Sequence, residues 1–161
     1  MGTEDLEAAA DVIKDVRVAM LTTVDEAGRF VSRPMATQEP FDGSAWFFVR
    51  SGSPVVTEVT ANPEVGLTYA SSSTWLSLRG TGSVSRDQAK KDELWNDWVE
   101  AWFPDGRTNP DIVLLECDCE TGELWDSPGG QPGQLLKMLK ARVTGTSADD
   151  DGRNQESLDL S

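Results

Sequence analysis

Histidine is absent from the 161-residue chain. That excludes Ser-His-Asp and Cys-His nucleophile pairs, histidine-ligated zinc and a haem held by a proximal imidazole. Any catalysis would then fall largely to a cofactor. Cations are scarce as well, with 14 Lys and Arg against 28 Asp and Glu and a formal net charge of −14. That balance argues against nucleic acid or an anionic membrane as partner, because counterion release needs clustered cations. A phosphorylated ligand would need a locally positive site, which screening over about 8–10 Å at physiological salt permits. Solubility accounts for the acidity, and adaptation to a salty interior is the alternative. The only two cysteines, Cys117 and Cys119, are too few for a disulfide framework, which suits a reducing cytoplasm. In a strand, C-x-C puts both thiols on one face, but two thiols do not complete a structural zinc site. They read as small residues on a strand face, and no metal is expected. No apolar run approaches the roughly 18 residues that cross a bilayer. The acidic N-terminal stretch lacks the apolar segment of a signal peptide. A cytoplasmic, soluble protein is expected.

The length fits one domain with a proper core, supplied by six Trp and five Phe within a hydrophobic content of 38%. Leu6, Ala9, Ala10 and Ile13 recur at helical spacing and predict a helix over Glu4 to Lys14. Val16 to Val24 is rich in β-branched residues and predicts a strand, closed by a turn at Asp25 to Gly28. Phe30 to Gln38 predicts the next strand, and Pro34 inside it implies an edge or a bulge with unpaired backbone. A turn at Asp42-Gly43 leads to a strand over Ser44 to Arg50. Ser53 and Pro54 then suit the start of a short helix. Val65 to Ala70 and Trp75 to Ser85 predict two more strands, with Gly80 and Gly82 marking a bulge or a close backbone approach.

From Asp87 to Phe103 the pattern turns helical, with Leu94, Trp95, Trp98, Val99 and Trp102 on one face. That stripe suits core or a subunit contact, or an aromatic wall over a ligand. Ile112 to Trp125 holds the last strand, continuous or hairpinned at Thr121-Gly122. A Pro- and Gly-rich loop from Ser127 to Gly133 and a helix over Gln134 to Arg142 follow. The acidic stretch 146–161 is expected to be a disordered tail, leaving a folded domain over 1–145. Helix, strand meander and inserted helices together predict a mainly β fold, a small six-stranded antiparallel barrel with flanking helices. Arg33, leaving a strand toward the hydroxyl-rich loop Ser51-Gly52-Ser53, suggests a cradle for a phosphate-bearing cofactor.

The runs S-R-P-M at Ser32 to Met35, D-G-x-x-W-F-F at Asp42 to Phe48, S-G-S-P, and E-V-x-x-N-P-E-V at Glu58 to Val65 belong together. With L-S-L-R-G-T-G, L-W-N-D-W-x-x-x-W-F-P and E-L-W-D, they resemble the general stress protein 26 family. That family is a branch of the pyridoxamine 5′-phosphate oxidase-like, FMN-binding split barrels, and the resemblance covers about Ala8 to Gly145. It implies a six-stranded split barrel and a homodimer with FMN, or FAD, in the groove between subunits. By the same resemblance Arg33 meets the flavin phosphate, where a guanidinium fork suits the oxygens. Pro34 and Met35 would lie along the isoalloxazine edge. Phe48 and Val49 would line the cofactor, Ser53 would face the phosphate, Trp75 would reach the ring, and Trp125 would come from the dimer partner.

The chain also departs from the oxidases. Pro54 and Val55 stand where a basic pair grips the phosphate, and Gln38 replaces a strand lysine. Each charge-assisted contact contributes about 1.5–3 kcal/mol, so weaker FMN binding is expected. The arginine and histidine that recognise pyridoxal phosphate have no counterpart in Asp126 to Gly133, which argues against a vitamin B6 oxidase. The expected function is an FMN-dependent oxidoreductase of unknown substrate or a flavin reservoir, connected with stress response. The alternative is a non-catalytic split barrel that has lost tight FMN binding and takes another ligand or a protein. A deazaflavin reductase is a third reading, ranked lower because such proteins usually keep basic residues.

Overall fold

The computed structural model describes residues 3–126 and 154–160. The predicted loop over 127–133 and helix over 134–142 lie outside them. Helix α1 (Thr3–Val16) carries Glu4 and Asp5 in its first turn, where the helix dipole favours negative charge. Its Ala9 and Ile13 are fully buried, with Leu6 and Ala10 packed beside them. Strands β1 (Val18–Val24) and β2 (Phe30–Ala36) form the expected hairpin. In its turn, Asp25 Oδ1 accepts the N–H groups of Ala27 and Arg29, both at 2.9 Å, and Gly28 takes φ +77°. The Arg29 N–H, ahead of its guanidinium, holds the Asp25 carboxyl below the usual carboxylate range.

The chain continues through β3 (Ser44–Arg50), α2 (Pro54–Ala61), β4 (Glu64–Ala70), β5 (Thr74–Ser85), α3 (Gln88–Leu94), α4 (Asp97–Trp102), β6 (Ile112–Asp126) and β7 (Asn154–Asp159). All strand pairings are antiparallel, in the order β2-β1-β4-β5-β6-β3, with β7 beside β6. Pro34 therefore sits on an edge strand, where a missing N–H breaks no ladder. The two end strands nearly meet, since the Gln38 N–H donates to the Trp46 carbonyl at 2.9 Å. That contact is an isolated bridge, so the sheet curls round without closing and the barrel is split.

Alternation sorts the side chains onto two faces. Leu21, Phe47, Leu67, Tyr69, Leu76, Leu78 and Leu115 point inward and are fully buried, in the main core. Cutting one of these leucines to Ala would cost about 2–5 kcal/mol. A second cluster, with Trp46, Phe48 and Leu114, lies on the outer face of β3 and β6 under Leu94 and Val99 of α3 and α4. Gly80 sits at the bulge between Arg79 and Gly80, where a Cβ would stand 2.0 Å from the Asp118 carbonyl oxygen. Cys117 and Cys119 are buried in the main core, as strand-face residues should be.

Two expectations need correction. The single helix over 87–103 is two, broken at Trp95-Asn96, because the Asn96 side chain accepts the Val99 N–H at 3.0 Å and caps α4. The break turns the aromatic stripe, so that Leu94 and Val99 are buried while Trp98 and Trp102 are 52% and 65% exposed. The last strand takes the continuous of its two expected forms, running straight through Thr121-Gly122. Its far half pairs with β7, which lies within the stretch expected to be a disordered tail, and Leu158 and Leu160 are buried in the main core. Two leucines in register with a free strand edge supply what the acidic composition concealed.

Candidate functional site

The open edge of β2 forms one wall of a groove of about 300 Å³, within the size range of small-molecule sites. Pro34, Met35 and Ala36 of β2 line it, with Val18 of β1 beside them and Gln38 just beyond. Phe47 and Phe48 of β3 form the floor, and Trp98, Trp102 and Phe103 from α4 and its C-terminal cap form the far wall. Pro34 and Met35 point to opposite faces of β2, so a cavity touching both lies against the strand's edge. None of these side chains carries a charge. Trp98 and Trp102 stand with ring centroids 5.8 Å apart at 49°. Phe48 is held edge-on by Trp95, at 5.3 Å and 87°, and the buried Trp95 Nε1 has no acceptor among the described residues. Gln38 is fixed because its Oε1 accepts from Asn96 Nδ2 at 2.9 Å.

Of the eight residues expected around a cofactor, the groove brings together Pro34, Met35 and Phe48. Arg33 precedes Pro34 on the same strand, but its side chain points inward. Its Nη2 donates to Glu58 Oε2 of α2 at 2.6 Å and its Nη1 to Thr23 Oγ1 at 3.0 Å. Thr23 donates in turn to the same carboxylate oxygen. The Arg33 and Glu58 side chains are 21% and 13% exposed, so the ion pair is largely shielded.

Val49 turns inward and is buried in the main core, which leaves only its backbone for a ligand. Ser53 occupies the N-cap position of α2, yet its hydroxyl donates to the Arg50 carbonyl at 2.7 Å and caps nothing. Trp75 and Trp125 face each other across β5 and β6, partly buried on the outer face. Two strand spacings, roughly 10 Å, separate Trp75 from β1 and the groove. Sequence reasoning missed Val18, Ala36, Phe47 and Phe103 as groove residues and Glu58 as the partner of Arg33. The aromatic stripe was the one visible signal for Trp98 and Trp102.

The fold has counterparts among known proteins. A general stress protein 26 from Jannaschia sp. CCS1 is 28% identical, with TM-score 0.69, covering 98% of this chain and 97% of its own. The general stress FMN/FAD binding protein of Xanthomonas citri is 27% identical, with TM-score 0.68 over 80% of this chain and 93% of its own. A general stress family protein from Xanthomonas campestris pv. campestris is 26% identical, with TM-score 0.69 over 81% and 93%. No curated protein matches the sequence. The family model described as pyridoxamine 5′-phosphate oxidase like matches residues 4–149, and the chain belongs to that family.

Proposed function

We propose that this chain is a flavin-binding protein of the general stress type, holding the isoalloxazine ring of FMN or FAD in the groove beside β2. The observation that carries the reading is the convergence of Pro34, Met35 and Phe48 with Trp98 and Trp102 on one uncharged, ring-sized cavity. The fit is good for the ring: flat aromatic and apolar surfaces suit a planar heterocycle, and the edge of β2 offers backbone hydrogen-bonding groups. The fit is poor for the phosphate, because Arg33 is already paired. A bound flavin would supply one- or two-electron transfer. The residues of this chain would orient the ring and keep water from it, and the described residues lining the groove include no titratable side chain. Oxidoreduction of a small molecule is thus the flavin's chemistry, and a second reading is binding without turnover, which suits the uncharged lining among the described residues.

The outer face beside the groove supports a homodimer. Val18, Met20 and Phe30 are 48%, 43% and 83% exposed there, on the face that also carries Trp75 and Trp125. A two-fold contact over this face would let Trp125 of one subunit approach the groove of the other. Titrating the purified protein with FMN, followed by flavin fluorescence, tests the binding. Saturable quenching is expected, and none with FMN, FAD or riboflavin would refute the flavin reading. Light scattering of Met20→Asp tests the dimer, which should fall to a monomer.

A further inference from the structure

We infer that the groove recognises the flavin ring and is nearly indifferent to the phosphate, so that riboflavin and FMN bind with similar affinity. The inference rests on the flavin reading above. It follows chiefly from Arg33, whose ion pair is the shielded one among those of the three described arginines beside the groove. Among the described residues, three arginines adjoin groove residues or contact them, and each faces a carboxylate. Arg17, next to Val18, lies 3.6 Å from Glu39. Arg50 lies 3.6 Å from Asp111, with its Cζ over the Phe103 ring at 5.4 Å. Arg33, next to Pro34, is the most tightly held, through Glu58 and Thr23.

A phosphate reaching Arg33 would have to compete with the Glu58 carboxylate, already 2.6 Å from Nη2. To capture the guanidinium it would have to leave that carboxylate unpaired in a shielded position beside a dianion, which is the costly way to break an ion pair. The neighbouring loop offers no compensation, because Pro54 and Val55 supply no charge and Pro54 no N–H at the start of α2. The ring, by contrast, needs only the surfaces already in place. Flavins differing in what the ribityl chain carries should therefore compete for one site.

Titrations of the full chain with FMN and riboflavin, followed by fluorescence in parallel, test this. Dissociation constants within about threefold of each other are expected. Glu58→Gln, which keeps the side chain's shape and removes its charge, should tighten FMN at least tenfold and leave riboflavin unchanged. FMN binding tenfold or more ahead of riboflavin in the unmodified protein would overturn the inference while leaving the flavin reading intact. Equal effects of Glu58→Gln on both ligands would also overturn it, since that is what a merely structural role produces. Failure of every flavin to bind would remove both readings.

Discussion

Replacing Arg33 by Met tests whether the ion pair with Glu58 is the structural tie it resembles. Exposed pairs contribute about 0–1 kcal/mol, while removing one partner of a buried pair costs about 3–5 kcal/mol. With side chains 21% and 13% exposed, this pair falls between those limits. Arg33→Met should therefore cost about 2 kcal/mol, and so should Glu58→Leu, each leaving the other charge without its partner. The double variant strands no charge and should cost about as much as either single one, a coupling of about 2 kcal/mol. In thermal melts each single change should lower the midpoint by about 4–8 °C. Urea denaturation is the better assay, because a shift in midpoint at constant slope isolates stability from changes in compactness. Additive single effects, with coupling under about 0.5 kcal/mol, would refute the reasoning. Arg33 would then be a cation free to serve a ligand.

Gly80→Ala should destabilise the fold by about 3 kcal/mol or more, because its Cβ would meet the backbone of Asp118 and Cys119, which cannot move aside as a side chain can. A melt within a degree or two of the parent protein would contradict that geometry. Burial pushes both thiols up, Cys119 from 9.0 to about 12, so iodoacetamide at pH 8 should label neither cysteine until the protein is unfolded. The same shift makes stability fall from about pH 9 toward pH 12, since unfolded thiols ionise there while folded ones stay neutral. A Cys117→Ala/Cys119→Ala variant should show a shallower alkaline fall in urea midpoint.

How far the fold could be read in the sequence depended on whether the deciding contact was local. Gly28 and Asp25 sit in the turn they define, and Pro34 announces an edge strand by its own chemistry. Ser53-Pro54 marks the start of α2, although the Ser53 hydroxyl bonds backward to Arg50 instead of capping. The break between α3 and α4 was harder to see. Asn96 reads as one polar residue on a helix face, and only its bond to Gln38, 58 positions away, shows it tied into the barrel. β7 was hidden by its acidic composition, and its place depends on an edge of β6 left free beyond β3. The site followed the same rule. The groove residues of β2 and β3 lie in recognisable motifs, whereas the Arg33–Glu58 pair joins two elements 25 residues apart. Arg33 therefore reads as a free phosphate ligand in the sequence, and the carboxylate that occupies it becomes visible only in the fold.

The central claim is that flavin occupies the groove between the β2 edge and α4. Ala36 lines that groove and is only partly buried, so Ala36→Trp would fill the cavity without entering the main core. The decisive measurement is FMN titration of that variant, with far-UV circular dichroism to establish that it is folded. The account predicts at least a tenfold loss of affinity in a folded protein, and undiminished binding would place the flavin elsewhere.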